Sequence, residues 1–270
     1  MLKAELMRPF LRWAGGKRWL TQHDLLSVFP DSRIVEPFVG GGALFFSRDW
    51  QKALLADINR FLINAYVQMS EDHGSVFYLL EEHFDLHSKD RYYEVRGRMG
   101  TSSVQDAADF IYLNRACFNG LFRVNSAGRF NVPIGTKVYE LRDLDEFEKW
   151  SAKLQSAEIR MADFEETIDV CGEGDFIFAD PPYTVNHNSN GFIEYNEKIF
   201  GWNDQVRLHH SLLKAVERGA HFALTNADHP TVHDLYDGCA CQTVERGSEM
   251  AGKTSARGKT TEVVITSFAR

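Results

Sequence analysis

No apolar run in this sequence of 270 residues approaches the roughly 18 that a membrane helix needs. The opening MLKAELMRPFLRWAGGK has no long apolar stretch of the kind that directs export. Cysteine is scarce. Cys117, Cys171, Cys239 and Cys241 make no C-x-x-C pair, and a C-x-C on one strand cannot comfortably bridge itself. Reduced thiols in a cytoplasmic protein are expected, and a structural zinc site is not. The ten histidines show no H-E-x-x-H spacing, and His209 and His210 stand side by side on a predicted helix, so no metal is expected. Positive charge is short as well: a net charge of −8, taken alone, argues against a nucleic-acid partner.

What is present changes that picture. Apolar residues make up 44% and charged residues 25%, an ordinary globular balance that predicts a packed core. The length suits one large domain, or one domain carrying an inserted smaller one. Charge is unevenly spread. Between Tyr112 and Lys137 stand Arg115, Arg123, Arg129 and Lys137 with no acid, and between Arg246 and Thr260 stand four basic residues against Glu249. Such stretches are either solvated loops or a phosphate-binding face on an acidic protein.

Short apolar runs read as buried strands: RIVEPF, KALLAD, EIRMAD, DFIFAD, HFALTN and EVVITSF. Between them lie segments of helical spacing, KRWLTQHDLLSVF, GALFFSRDW, NRFLINAYVQM and WNDQVRLHHSLLKAVERG, the last stopped by Gly219. Strand–helix alternation predicts an α/β fold with a mostly parallel sheet. The final strand, with CQTVE before it, is expected to pair antiparallel at the edge. The rhythm breaks from Ile58 to Ala157, where helical patterns (VFYLLEEHF, DAADFIYLNRACF) flank one predicted hairpin, LFRVNSAGRFNV, turning at Asn125 to Gly128. This stretch reads as an insertion, leaving 1–57 and 158–270 as the main domain.

Two features in that domain suggest a ligand. In RIVEPFVGGGALFF a strand meets a helix through Gly40, Gly41 and Gly42, which allow backbone to approach a ligand closely. Asp57 closes the next strand, where an acid can accept bonds from ribose hydroxyls. A nucleoside-containing ligand follows. A dinucleotide is disfavoured, because Glu36, Pro37 and Phe38 crowd the entry and the G-x-G-x-x-G spacing is missing. The second glycine pair, in FLRWAGGKRWL, lacks the residues of a P-loop; it offers Trp13 as a flat wall and Lys17 as a cation.

The other feature is FIFADPPY. Asp180 ends a predicted strand, so it is expected to share a crevice with Gly40 and Asp57. Pro181 and Pro182 stiffen the turn and contribute no N–H. A carboxylate beside a rigid carbonyl is a two-acceptor site suited to an amino group with two N–H donors. Tyr183 adds a face on which a planar base can stack.

These residues carry a resemblance. ADPPY resembles the D/N-P-P-Y/F motif of amino-group methyltransferases that use S-adenosylmethionine. FLRWAGGK, VEPFVGGGALF, ADIN, LNRACFNGLFRVNSAGRFNVPIG and ADPPY together follow the order found in the DNA adenine methylase (Dam) family, from Phe10 to about Ser267. The resemblance implies a Rossmann-like methyltransferase sheet with a target-recognition insertion over 58–157. It implies S-adenosylmethionine as cofactor, with Trp13 and Lys17 beside it, Glu36, Pro37, Phe38 and Gly40 around its methionine end, Asp57 on the ribose, and Asp163 and Phe164 by its adenine. Asp180, Pro181, Pro182 and Tyr183 would hold the target adenine. Its amino nitrogen is a poor nucleophile, so accepting its two N–H bonds would turn the lone pair toward the sulfonium methyl, and positioning would do most of the work.

Double-stranded DNA is the implied partner, and an adenine paired and stacked in a duplex must leave the helix to react. The resemblance assigns base contacts to Asn119, Leu121, Arg123 and Pro133, an Arg being able to read guanine bidentately. Arg12 stands where the family often has a Lys touching a flanking base. Arg115 and Arg129 fit phosphate contacts, and GSEMAGKTSARGKT fits a loop that clamps DNA. The family's common target is GATC; Arg12 and Cys117-Phe118 depart from its familiar residues. A monomeric cytoplasmic enzyme of a bacterium or phage is expected, two copies on one DNA being the alternative state. The rival functions are an RNA adenine methyltransferase and a DNA-binding regulator that has lost the activity.

Overall fold

The computed structural model describes residues 7–13, 15–17, 19–20, 29, 31–184, 200–247 and 259–268. Seven strands form one sheet: β1 (Arg33–Glu36), β2 (Ala53–Asp57), β3 (Ala157–Met161), β4 (Asp175–Ala179), β5 (His221–Ala227), β6 (Ala240–Gly247) and β7 (Lys259–Thr266). Their order is β3-β2-β1-β4-β5-β7-β6. The pairs β2/β3, β1/β4 and β4/β5 are parallel, while β7 runs antiparallel to both β5 and β6. This is the expected α/β class with its antiparallel end. Each strand read from an apolar run is present.

Contacts group the chain into two compact units, 1–31 with 39–162 and 32–38 with 163–270. In the second unit β4 sits between two parallel partners and buries all five residues, which is why its sequence is a continuous apolar run. Arg33 grips Asp175 through two bonds of 2.7 and 2.8 Å, pinning β1 to the start of β4. The helices here are α7 (Phe164–Asp169), α8 (Trp202–Glu217) and α9 (Pro230–Leu235). The predicted stop of α8 is correct. Gly219 has φ +92°, and the Ala220 amide turns back to the Ala215 carbonyl at 3.0 Å.

Among the described residues the first unit holds β2, β3 and the α-helices α1 (Ala43–Phe46), α2 (Arg60–Glu71), α3 (His73–Asp85), α4 (Lys89–Arg98), α5 (Val104–Ala116) and α6 (Leu144–Leu154). Asn59 caps α2 by accepting the Phe61 and Leu62 amides, and a Ser103/Asp106 capping box opens α5. The helix expected over GALFFSRDW is much shorter. Ser47 Oγ and Trp50 Nε1 both donate to the Leu44 carbonyl, closing α1 after one turn. The helix expected over KRWLTQHDLLSVF lies largely outside the described residues. The predicted hairpin turns where expected, with Gly128 N on Asn125 O at 2.9 Å and Asn125 N on Arg129 O at 2.8 Å. It is held by a single bridge, Val124 to Phe130, rather than a ladder.

Candidate functional site

In the first unit the glycine turn, the acid and the indole come together. The Asp57 carboxylate leaves the end of β2 and accepts the Gly40 amide at 3.3 Å and the Asn59 amide at 2.9 Å. Burial pushes this carboxyl up from 3.8 to about 6, against the lowering pull of the Asn59, Gly40 and Ile58 amides. Gly40 has φ +48°, and a Cβ there would stand 2.8 Å from Cδ1 of Trp13. Only glycine fits a backbone both left-handed and pressed against an indole. Tyr66 steadies the turn by donating to the Gly40 carbonyl at 3.0 Å. Lys17 is buried and donates to the Gly15 carbonyl at 2.9 Å. Ile58, next to Asp57, is 67% exposed, an apolar side chain that sequence reasoning missed.

Trp13 also stacks on Phe122, with centroids 5.8 Å apart and planes 19° apart. Phe122 lies between Leu121 and Arg123, so the indole joins the glycine turn to the segment of predicted base contacts. One buried side chain holds this segment from beneath. Asn114 accepts the Arg12 amide at 2.8 Å, donates to the Arg12 carbonyl at 2.7 Å, and reaches the Gly120 carbonyl at 3.4 Å. The Arg12 guanidinium lies 3.6 Å from the Tyr139 ring centroid.

Asn119 is exposed in the left-handed region (φ +56°), beside Phe118, which is 50% exposed. Arg123 is exposed, and its Nε donates to Asn131 Oδ1 at 2.8 Å. Leu121 is partly buried; Pro133 and Arg129 are exposed. Arg115 is largely buried. Burial, then the neighbouring Arg12 charge, draw its guanidinium down to about 10, and its Nε meets no hydrogen-bond partner among the described residues.

In the second unit Glu36 and Pro37 are buried at the end of β1, and Phe38 stacks on Phe164 at 5.4 Å. Asp163 caps α7 by accepting the Glu165 amide at 2.9 Å, and the same Oδ1 accepts Arg207 at 2.9 Å. Asp180 follows β4 directly, partly buried, with Pro181 buried after it and Pro182 and Tyr183 partly so. Its Oδ1 accepts the Thr225 hydroxyl at 2.6 Å. Neither Arg207 nor Thr225 stands out in the sequence. The GSEMAGKTSARGKT loop lies outside the described residues from 248 to 258, as does the chain from 185 to 199. Among the described residues no group of His, Cys, Asp or Glu could hold a metal ion, and no helix is long and apolar enough to cross a membrane.

The sequence profile of the D12 class N6 adenine-specific DNA methyltransferases matches residues 13–250. The chain is 36% identical over 273 residues to the Type II methyltransferase M1.LlaDCHI of Lactococcus lactis subsp. cremoris, covering 97% of this chain and 96% of that one. It is 32% identical over 276 residues to the DNA adenine methylase of Haemophilus influenzae, covering 97% and 94%. With the DNA N-6-adenine-methyltransferase of Escherichia phage P1 it is 38% identical over 237 residues, covering 86% of this chain and 31% of that protein.

Proposed function

The chain belongs to the D12 class of N6 adenine-specific DNA methyltransferases, and on that premise we propose that it methylates, from S-adenosylmethionine, an adenine turned out of duplex DNA. The observation that carries the reading is Asp180, a partly buried carboxylate on the end of a wholly buried strand, followed by two residues that own no N–H.

Asp57, Gly40 and Trp13 fit a nucleoside carrier. The Asp57 carboxylate is fixed by two backbone amides, its residue is partly open to ligand, and the turn beside it has no Cβ. Asp57 accepts the ribose hydroxyls; Glu36, Pro37, Phe38 and Gly40 surround the methionine end; Trp13 and Lys17 line the site; Asp163 and Phe164 take the carrier's adenine. Bound there, S-adenosylmethionine supplies a methyl group on positively charged sulfur. Asp180 and the Pro181 carbonyl accept the target amine's two N–H bonds, so its lone pair faces outward, and Tyr183 stacks on the base. On methylation the amine sheds one proton, which the Asp180 carboxylate is able to hold. Extrusion of the base costs a few kcal/mol.

Residues 58–157 recognise the target. Asn119, Leu121, Arg123 and Pro133 contact bases, Arg12 a flanking base, and Arg115 and Arg129 phosphates. GATC is the first sequence to test. Unmethylated duplex DNA incubated with the chain and S-adenosylmethionine should yield N6-methyladenine at one sequence, and Asp180→Ala should yield none while melting like the wild type. An active Asp180→Ala would overturn the reading, and methyl incorporation into RNA alone would move it to the RNA rival.

A further inference from the structure

We infer that Thr225 is a positioning residue for methyl transfer: its hydroxyl holds the Asp180 carboxylate in the plane that receives the target amine. The inference rests on the proposed role of Asp180. Thr225 lies on β5 with no exposed surface, inside a strand that buries every residue after His221. The parallel register pairs Phe178 with Ala223 and Ala179 with Leu224. One step further along, Asp180 stands opposite Thr225, and the hydroxyl donates to its Oδ1 at 2.6 Å. That length lies at the short end of the O–H···O range, where charge-assisted bonds fall.

The choice of side chain points the same way. Phe222, Ala223 and Leu224 before it are buried and apolar, and β7 places buried Val264 beside Thr225. Valine has the same shape and suits a strand interior, so burying a hydroxyl there brings a desolvation cost that only a partner offsets. The partner is the carboxylate itself.

The donor is rigid. Threonine is stiff at χ1. Asn226, next along β5, donates to Gln205 Oε1 of α8 at 3.0 Å and accepts the Ala227 amide at 2.8 Å, bracing the strand end. An aspartate carboxylate otherwise turns easily about its last bond, since that torsion is broad. A small rotation would aim its lone pairs away from the amine. The bond from Thr225 restrains that rotation before the base arrives.

The test compares Thr225→Val, Thr225→Ser, Thr225→Ala and Asp180→Ala in the full chain, using unmethylated plasmid DNA and S-adenosylmethionine. Thr225→Val should lower kcat by about tenfold or more, as loss of a hydrogen bond to a charged group does. KM for cofactor and DNA should stay within about twofold. Thr225→Ser should retain kcat within about threefold of wild type. If the valine variant does not fold, serine against alanine carries the test, since these two differ by the hydroxyl alone. Equal kcat for serine and alanine, or a valine variant as fast as wild type, overturns the inference if Asp180→Ala is inactive. An active Asp180→Ala instead overturns the role of Asp180 on which it rests.

Discussion

Arg207 covers Phe164, its guanidinium carbon 4.7 Å from the ring centroid, while the same group donates to Asp163 at 2.9 Å and to Glu165 at 2.8 Å. One side chain of α8 thus holds both residues assigned to the cofactor's adenine. The group is partly exposed, so each ion pair contributes at most about 1 kcal/mol, and the cation–π contact adds about 0.5–1 kcal/mol. Arg207→Ala should weaken S-adenosylmethionine binding about tenfold, with kcat at saturating cofactor within about twofold. Calorimetric titration decides it, and unchanged affinity would remove Arg207 from the site.

Asp57 predicts how cofactor binding depends on pH. Its carboxyl titrates at about 6 because burial disfavours the charge. Ribose hydroxyls donating to the carboxylate favour the charged form, so the bound pKa lies lower than the free one. Binding below about pH 6 therefore expels a proton. Affinity should be flat above about pH 7 and fall toward tenfold per unit as pH drops below about 6. Asp57→Asn should flatten that profile. A wild-type affinity independent of pH between about 5 and 8 would show that Asp57 does not meet the ligand.

Arg123 is exposed and aimed by Asn131. Arg123→Ala should reduce discrimination between the methylated sequence and single-base variants by about tenfold to a hundredfold, the value of one bidentate base contact. The salt dependence of binding should change little. A uniform loss across all sequences, with a salt slope shallower by about one, would make Arg123 a phosphate contact. Asn131→Ala should act in the same direction, more weakly.

Asp109 tests the helical part independently of chemistry. It is almost fully buried and accepts His83 at 2.8 Å, Arg98 at 2.9 and 3.0 Å, and Gln105 at 2.7 Å. Burial raises its pKa, but the bonds from His83, Arg98 and Gln105 outweigh that and hold it below the ordinary 3.8. A depressed carboxyl contributes stability that is complete above the unfolded pKa, and it is lost as pH falls below about 4. Asp109→Asn should cost about 2–3 kcal/mol in urea unfolding near neutral pH, less than a fully buried pair because Arg98 is partly exposed. That cost should shrink toward acid pH, with kcat unchanged for the folded fraction. A cost that does not vary with pH would assign it to packing.

The strands were legible because parallel strands buried on both faces leave continuous apolar runs, as DFIFA does. The acids were legible because they stop such runs: Asp57 after ALLA and Asp180 after DFIFA. Helix α4 was not singled out. Its sequence KDRYYEVRGR buries only Tyr92 and Val95, too few for a visible stripe. The supports of the site were illegible for a different reason. Thr225 meets Asp180 across 45 residues, Arg207 meets Asp163 across 44, and Asn114 meets Arg12 across 102. Each is a common polar residue whose partner is set by strand order and helix packing, which local pattern does not encode.

The antiparallel end of the sheet has a consequence for synthesis. β7 lies between β5 and β6, yet it follows both in the chain. β5 and β6 each carry a hydrogen-bonding edge that β7 fills, so neither edge is covered before residues 259–266 have been made. Closure of this half of the sheet must therefore wait for those eight residues. Until then the nascent chain shows open strand edges to its neighbours, the condition under which chaperones and aggregation compete for a protein.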